Sequence, residues 1–213
     1  MLAAMTTHRQ SGETLIGLMV GLGLGLLVLA AGTQMLAHQL RGHRWLLQDS
    51  HAHHDLRAAL STITQQLRQA QAMEDAWKLR TSAACQDAFC DGAEDFSISA
   101  DRILFSIDRN HNGLQDNNEC LGFRLNNGEL KARTSCLPEV WTSITDVGSL
   151  KITQLQWQVT CAPQGGLWQR WVTVSLTAQW PSDTSRQWRA SQTITLRNAL
   201  PALQAPAYCS GAT

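Results

Sequence analysis

A long segment without charged residues lies near the N-terminus of the chain. Every residue from Thr14 to Ala37 is uncharged, and residues 22–31 consist of Leu, Gly, Val and Ala. An α-helix rises about 1.5 Å per residue, so about 20 apolar residues cross the hydrocarbon core of a bilayer. The pattern therefore predicts a membrane-spanning or assembly helix over residues 13–37.

Beyond this segment, apolar residues recur at steps of three, four and seven, which is the spacing of one helix face. The positions with this spacing are Leu36, Leu40, Leu47, Leu56, Leu60, Ile63, Leu67 and Ala70. They predict an amphipathic helix over residues 38–77 with one buried stripe. No proline lies between Thr14 and Met73. We therefore expect one continuous helix, with its first half in lipid or in an assembly and its second half against a sheet.

After Trp77 the apolar positions alternate with polar ones, which is typical of antiparallel strands with one buried face. Asn127-Gly128 between two such segments is a strong signal for a hairpin turn. In a later segment Arg170 shares a face with the apolar Val172 and Val174. The predicted fold class is α+β, a long N-terminal helix packed on an antiparallel β-sheet that occupies residues 78–213.

A short basic leader precedes the apolar segment and ends at Ser11-Gly12. An ordinary secretory signal has its cleavage site after the apolar region, whereas the signal-like junction here lies before it. Cleavage after Gly12 would remove residues 1–12 and leave the hydrophobic helix on the mature protein. The pattern indicates an exported subunit that is held in a membrane.

The residues around this junction resemble the start of type IV pilins and pseudopilins. The pattern of that family is a glycine, a hydrophobic residue and then Thr/Ser-Leu-Ile-Glu-Leu-Met-Val. The matching positions are Gly12, Thr14, Leu15, Ile16, Leu18, Met19 and Val20. Glu13 stands where the family usually has an aromatic residue, and Gly17 stands where it has a glutamate. The resemblance implies that a prepilin peptidase cuts after Gly12 and methylates the new amine of Glu13.

Two further segments, Gln48–Gln71 and Leu121–Leu125, resemble minor pilins of the PilW group. The resemblance implies a structural subunit that helps to prime pilus assembly, with a place at the pilus tip as a further expectation. Its implied partners are other minor pilins, the major pilin, the prepilin peptidase, the inner membrane and a tip adhesin. The implied location is the inner membrane, with one span and a periplasmic domain, and later the pilus fibre or its tip. The alternatives are a J-type minor pseudopilin of type II secretion and a calcium-stabilised binding module at a pilus tip.

Charge and motifs narrow the function classes. The chain has 17 Lys and Arg against 17 Asp and Glu, so its formal net charge is zero. Proteins that bind nucleic acid normally carry a basic patch or stripe. Because the net charge is zero, we expect no nucleic-acid partner. The sequence contains no Gly-x-Ser-x-Gly, His-Glu-x-x-His or phosphate-loop motif, so we expect no enzymatic activity.

All six cysteines lie beyond the membrane segment. An even number in an exported domain indicates disulfides, although six cysteines allow 15 connectivities. No Cys-x-x-Cys pair of a zinc site occurs. The working hypothesis is sequential pairing of Cys85 with Cys90, Cys120 with Cys136, and Cys161 with Cys209.

Residues 108–119 fit the twelve-residue calcium-loop pattern D-x-[DN]-x-[DN]-G-x5-E at every specified position. Calcium takes six to eight oxygen ligands, and Gly113 permits the sharp turn that such a loop needs. The candidate ligands are the side chains of Asp108, Asn110, Asn112, Asp116 and Glu119 and the backbone carbonyl of Leu114. Strands rather than helices flank the loop, so a polar hairpin loop without a metal is the alternative. We expect weak calcium binding that stabilises this loop.

Overall fold

The computed structural model describes residues 14–73, 95–181, 183–201 and 207–209. In these residues one α-helix precedes nine β-strands and a short 3-10 turn, Ala207–Cys209. The chain forms two compact units, Met1–Ser50 and His51–Thr213. The arrangement is α+β with antiparallel sheets, which confirms the fold class predicted from the periodicity.

Helix α1 spans Leu15–Leu67, and only its last third is buried. The prediction that Leu36, Leu40 and Leu47 share the buried stripe is wrong, because each is more than half exposed. Leu47 and Leu56 are nine residues apart, which is two and a half turns, so they point to opposite sides of the helix. The residues that form the buried stripe are Ala52, Leu56, Ala59, Leu60, Ile63 and Leu67.

The helix ends at Leu67, earlier than the end of the helix predicted over residues 38–77. A turn follows, in which Gln71 adopts a left-handed φ of 56° and breaks the helical path. The side-chain amide of Asn198 donates a hydrogen bond of 3.0 Å to the carbonyl of Ala70. A distant part of the chain therefore satisfies a carbonyl that has no partner within the helix, which sequence periodicity does not reveal.

The first sheet is a five-stranded antiparallel meander in the order β1–β2–β3–β4–β5. Asn127 and Gly128 both have left-handed φ values, 54° and 84°, as a two-residue hairpin turn between β3 and β4 requires. This confirms the predicted hairpin. The strands are Phe96–Ile98, Arg102–Ser106, Cys120–Asn126, Glu129–Ser135 and Val140–Ser143.

The second sheet contains the three longest strands, in the order β6–β7–β8, with the short β9 paired to β7. The predicted single meander is therefore divided into two sheets. The backbone N–H of Ile152, at the start of β6, donates to the carbonyl of Gly128 in the first sheet's hairpin at 2.9 Å. Alternation reveals which face of a strand is buried, but it does not reveal where one sheet ends and the next begins. The strands are Lys151–Gln164, Leu167–Trp180, Asp183–Thr195 and Leu200–Pro201.

One hydrophobic cluster joins the last third of α1 to both sheets. Phe105 on β2 and Phe123 on β3 are diagonal neighbours with ring centroids 6.1 Å apart. Ile63 of the helix and Val174 of the second sheet are fully buried in the same cluster. Burying a side chain of this size stabilises the fold by about 1.5–3 kcal/mol.

Two disulfides lie among the described residues of the second unit. Cys120, at the start of β3, bonds to Cys136, just after β4, and Cys161 of β6 bonds to Cys209 of the 3-10 turn. Both are pairs of the sequential scheme, whereas Cys85 and Cys90 lie outside the described residues. In the chain-entropy account, a link across a separation of 16 residues stabilises the fold by about 3 kcal/mol.

The buried stripe of α1 can be tested by truncating Ile63, which is fully buried. Ile63→Ala is expected to lower the free energy of unfolding by about 2–5 kcal/mol, because it leaves a cavity between helix and sheets. The measurement is denaturant unfolding of the full chain in detergent, with the exposed Ser61→Ala as the control. Equal stability of the two variants would show that the helix does not depend on this contact.

Candidate functional site

The apolar part of α1 is exposed along its length. The 18-residue window with mean hydropathy 2.4 has none of its residues buried, and Leu27 and Val28 are each about two-thirds exposed or more. A helix of this length and composition can cross a bilayer, and its exposure is compatible with a membrane anchor. In water alone such a surface would be unfavourable, since contiguous apolar patches usually mark a membrane or partner contact.

The predicted cleavage site, Gly12 and Glu13, lies outside the described residues. The description begins at Thr14, whose carbonyl accepts a hydrogen bond of 2.8 Å from the N–H of Gly17 in the first turn of the helix. Gly17, which stands where the pattern of type IV pilins has a glutamate, is exposed. Cleavage after Gly12 and methylation of Glu13 therefore stay predictions.

The candidate calcium loop connects β2 to β3, as predicted. The backbone N–H of Ile107 donates to the carbonyl of Glu119 at 3.1 Å and closes the base of the loop. At this base Asp108 is 1% exposed and Glu119 is fully buried. The disulfide of Cys120 follows Glu119 directly, so the end of the loop is covalently fixed.

Both oxygens of Glu119 accept hydrogen bonds from the loop backbone. Oε1 accepts from the N–H of Arg109 at 2.7 Å and more weakly from that of Asn110 at 3.4 Å. Oε2 accepts from the N–H of Asp116 at 2.8 Å. One buried carboxylate therefore ties the first turn of the loop to its last turn.

Asp108 has the matching role at the first position of the loop. Its Oδ1 accepts from the N–H of Asn112 at 3.2 Å, and its Oδ2 accepts from that of Gly113 at 3.1 Å. Gly113 has a φ of 73°, a left-handed conformation that glycine adopts without strain. The chain therefore turns sharply around the Asp108 carboxylate, as the glycine in the pattern predicts.

The remaining predicted ligands lie in the middle of the loop. Oδ2 of Asp116 accepts hydrogen bonds from the side-chain amides of Asn110 and Asn112, the second at 3.1 Å. Oδ1 of Asn112 accepts from the N–H of Leu114 at 2.8 Å, and the Leu114 side chain is exposed. The two asparagines thus direct their side-chain NH2 groups, rather than their carbonyl oxygens, toward Asp116.

Calcium requires six to eight oxygen ligands that face one point. In the described part of the chain, no group of three or more His, Cys, Asp or Glu side chains is close enough together to hold a metal ion. Asp108 and Glu119 bind backbone amides, and Asp116 binds Asn110 and Asn112. The loop brings the predicted side chains onto one turn, but hydrogen bonds organise them. Calcium ligation would require the two carboxamides to turn their oxygens toward an ion shared with Asp116, an exchange of NH2 and oxygen that the near-symmetric shape of the carboxamide permits.

Arg170 is a residue whose structural role the sequence reading missed. It is fully buried on β7, and its guanidinium donates to the side chain of Gln71, to Oη of Tyr208 at 2.8 Å and to the carbonyl of Asn198 at 2.6 Å. Burial lowers the pKa of Arg170, and the same burial raises the pKa of Tyr208. The guanidinium also lies 5.1 Å from the ring centroid of Phe96. A charged residue on an otherwise apolar strand face was the available signal.

Comparison with known families gives one match. Residues 45–196 match the family model described as PpdB, prepilin peptidase-dependent protein B. The matched range covers more than two thirds of the chain and begins after the apolar segment, so it does not rest on the residues that carry the pilin-like start. No curated protein and no solved structure matches the chain.

The role of Glu119 in holding the loop can be tested directly. Glu119→Ala removes the acceptor of three backbone N–H groups and is expected to lower the free energy of unfolding by about 1–3 kcal/mol. Glu119→Gln keeps one carbonyl oxygen and is expected to lose less. Denaturant unfolding of the full chain in detergent, without calcium, measures both. An unchanged stability in Glu119→Ala would contradict the role of this carboxylate.

Proposed function

Because the chain belongs to the prepilin peptidase-dependent protein B family, we propose that it is a minor pilin of the PilW kind. It is a structural subunit that helps to prime pilus assembly, and it has no enzymatic role. The observation that carries the proposal is the exposed apolar half of α1, which continues into the core of a folded α+β unit. One helix thus supplies an assembly surface in its first half and contributes its last third to the core of the folded unit.

The assembly step is packing of the apolar half of α1 against the helices of other subunits. Gly17, Gly21 and Gly25 recur every four residues, and a Cβ at Gly21 or Gly25 would meet nothing within 4 Å. Small residues at this spacing let helices approach closely in lipid. This makes the glycine-bearing side of α1 suited to contact with another apolar helix.

The position of the subunit follows from the acid that is missing. In the resembling family a glutamate at position 17 pairs with the N-terminal amine of a neighbour, whereas this chain has Gly17 and carries its acid at Glu13. We propose that the carboxylate of Glu13 offsets the charge of its own amine instead. We therefore assign the subunit to a priming or tip position rather than to repeated stacking along the shaft.

The proposed location of the protein before assembly is the inner membrane, with one span and a periplasmic domain. A prepilin peptidase removes the leader there, and the subunit then joins other minor pilins and the major pilin. Its later location is the pilus fibre or its tip, where a tip adhesin is a further partner. A J-type minor pseudopilin of type II secretion is the alternative within the same class of assemblies.

The proposal predicts a defined mature N-terminus. Mass spectrometry of sheared pili is expected to show a chain that begins at methylated Glu13, because the peptidase cuts after Gly12. Gly12→Asp is expected to leave residues 1–12 on the protein and to keep it out of pili, whereas Ser61→Ala, at an exposed position of α1 away from the apolar half, serves as a control that is cleaved normally.

Deletion of the gene separates the pilus from the secretion system. Loss of pili and of twitching with normal protein secretion supports the minor pilin. Loss of secretion with normal piliation would assign the protein to the type II pseudopilus. A chain that retains its leader in wild-type cells would contradict both.

A second proposed property is calcium binding by the Asp108–Glu119 loop, which would stabilise a tip module. The observation in its favour is that two buried carboxylates, Asp108 and Glu119, lie at the base of a loop with the full calcium pattern. With Asp116 they give the loop three formal negative charges. Extracellular calcium modules of this kind bind with a Kd of about 10⁻⁴–10⁻³ M. The effect would be to stabilise the loop rather than to switch a conformation.

Calcium binding predicts a shift in thermal stability. Calcium at about one hundred times Kd is expected to stabilise the full chain in detergent by about 2.7 kcal/mol, seen as a higher Tm. Asp108→Ala is expected to abolish the rise, whereas Asp183→Ala, at the start of β8, is the matched control and should keep it. A Tm that calcium leaves unchanged, or a rise that survives in Asp108→Ala, would rule out this site.

A further inference from the structure

Three cations lie side by side on the first sheet. Arg102 on β2 is the register partner of Arg124 on β3, and Arg124 is the partner of Lys131 on β4. Directly opposed side chains have Cβ atoms about 4.5–5.5 Å apart, and like charges at that distance repel. The fully buried Ile103 and Phe123 neighbour this row along their strands and point to the core, so the row belongs to the opposite face of the sheet.

Nearby acids compensate this row only in part. Nζ of Lys131 lies 3.2 Å from Oε2 of Glu129, which also accepts a hydrogen bond of 2.7 Å from Ser143. Among the residues that the structure describes, Arg102 and Arg124 have no carboxylate within ion-pair distance. The sheet therefore carries two adjacent guanidinium groups, and no carboxylate of the described residues pairs with either of them.

Trp141 holds one of these groups in place. The guanidinium carbon of Arg124 lies 4.2 Å from the centroid of the Trp141 ring. Its Nε is buried and has no acceptor among the described residues. Because Nε is buried, a planar anion can meet only the two terminal Nη groups, and stacking on the ring holds these groups in one plane. The arrangement is thus preorganised for a group with two oxygens.

We propose that this surface, the basic face of Arg102, Arg124, Lys131 and Trp141, binds an acidic segment of a neighbouring protein subunit through carboxylates. That the partner is a neighbouring subunit rests on the proposed assembly role. Arg124 provides the bidentate contact to one carboxylate, and Arg102 and Lys131 flank it with further charge.

The surroundings of the basic face favour a short acidic segment over nucleic acid. The row spans three strands, a width of about 10 Å. Glu129 borders it on one side, and Glu139 lies 3.5 Å from Nε of the neighbouring Arg133. Nucleic-acid sites instead extend as basic stripes that neutralise many phosphates. A few carboxylates fit this width, whereas a phosphate chain would continue over acids.

The test uses the full chain in a neutral detergent with fluorescein-labelled poly-L-glutamate, followed by fluorescence anisotropy. Binding that weakens with added salt is expected, and Arg124→Gln should weaken it about tenfold or more, as loss of a charge-assisted hydrogen bond implies. Arg102→Gln, at an exposed position, should also weaken it. Arg124→Lys keeps the charge but loses the planar edge, so it too should bind more weakly than the wild type.

Arg186→Gln is the matched control, because it removes the same charge from β8, where Arg186 lies 3.5 Å from Asp183. It should bind like the wild type. Absence of binding, or equal weakening in Arg186→Gln and Arg124→Gln, would overturn the proposal. A single-stranded oligonucleotide that binds more tightly and depends on the same residues would overturn the choice of partner. Because purified protein and a synthetic probe are used, the result is independent of the gene-deletion test.

Discussion

Burial of the Arg170 guanidinium is the constraint on which the arrangement of the folded unit depends. A buried charge is costly unless hydrogen bonds compensate it, and both Nη groups of Arg170 donate to acceptors, whereas its Nε has none in the described part of the chain. The acceptors here come from the turn after α1, from the segment between β8 and β9, and from the 3-10 turn near the C-terminus. The Cys161–Cys209 disulfide holds that last turn against β6. The helix end, the second sheet and the C-terminal turn must therefore meet in one geometry, because any shift would strand a charge.

That geometry explains how one helix serves two environments. The last third of α1 is part of the hydrophobic core, and Asn198 satisfies the carbonyl of Ala70 beyond its end. The first half remains apolar and exposed. In the described residues the buried positions of α1 lie in its last third, and the exposed apolar half is compatible with a membrane anchor.

Strand β3 connects the two proposed binding regions. It begins at Cys120, directly after Glu119 of the Asp108–Glu119 loop, and it carries Arg124 of the basic face. The loop presents acids at one end of the strand, whereas the face presents cations on its outer side. Gly122 lies between them, and a Cβ there would come within 2.6 Å of the carbonyl of Ile103. The close approach of β2 and β3 thus leaves no room for a side chain between the two regions.

The sequence by itself determined the long helix but not its end, the longer strands, the Asn127-Gly128 hairpin and the position of the Asp108–Glu119 loop. These depend on side-chain direction and turn conformation, which neighbouring residues set locally. Only the tertiary structure decided that Leu47 stays exposed and that Arg170 meets Gln71 and Tyr208. It also decided that Arg102, Arg124 and Lys131 form one row. Each of these depends on which distant segments become neighbours and in what register, and a pattern of period two or 3.6 contains no information about that choice.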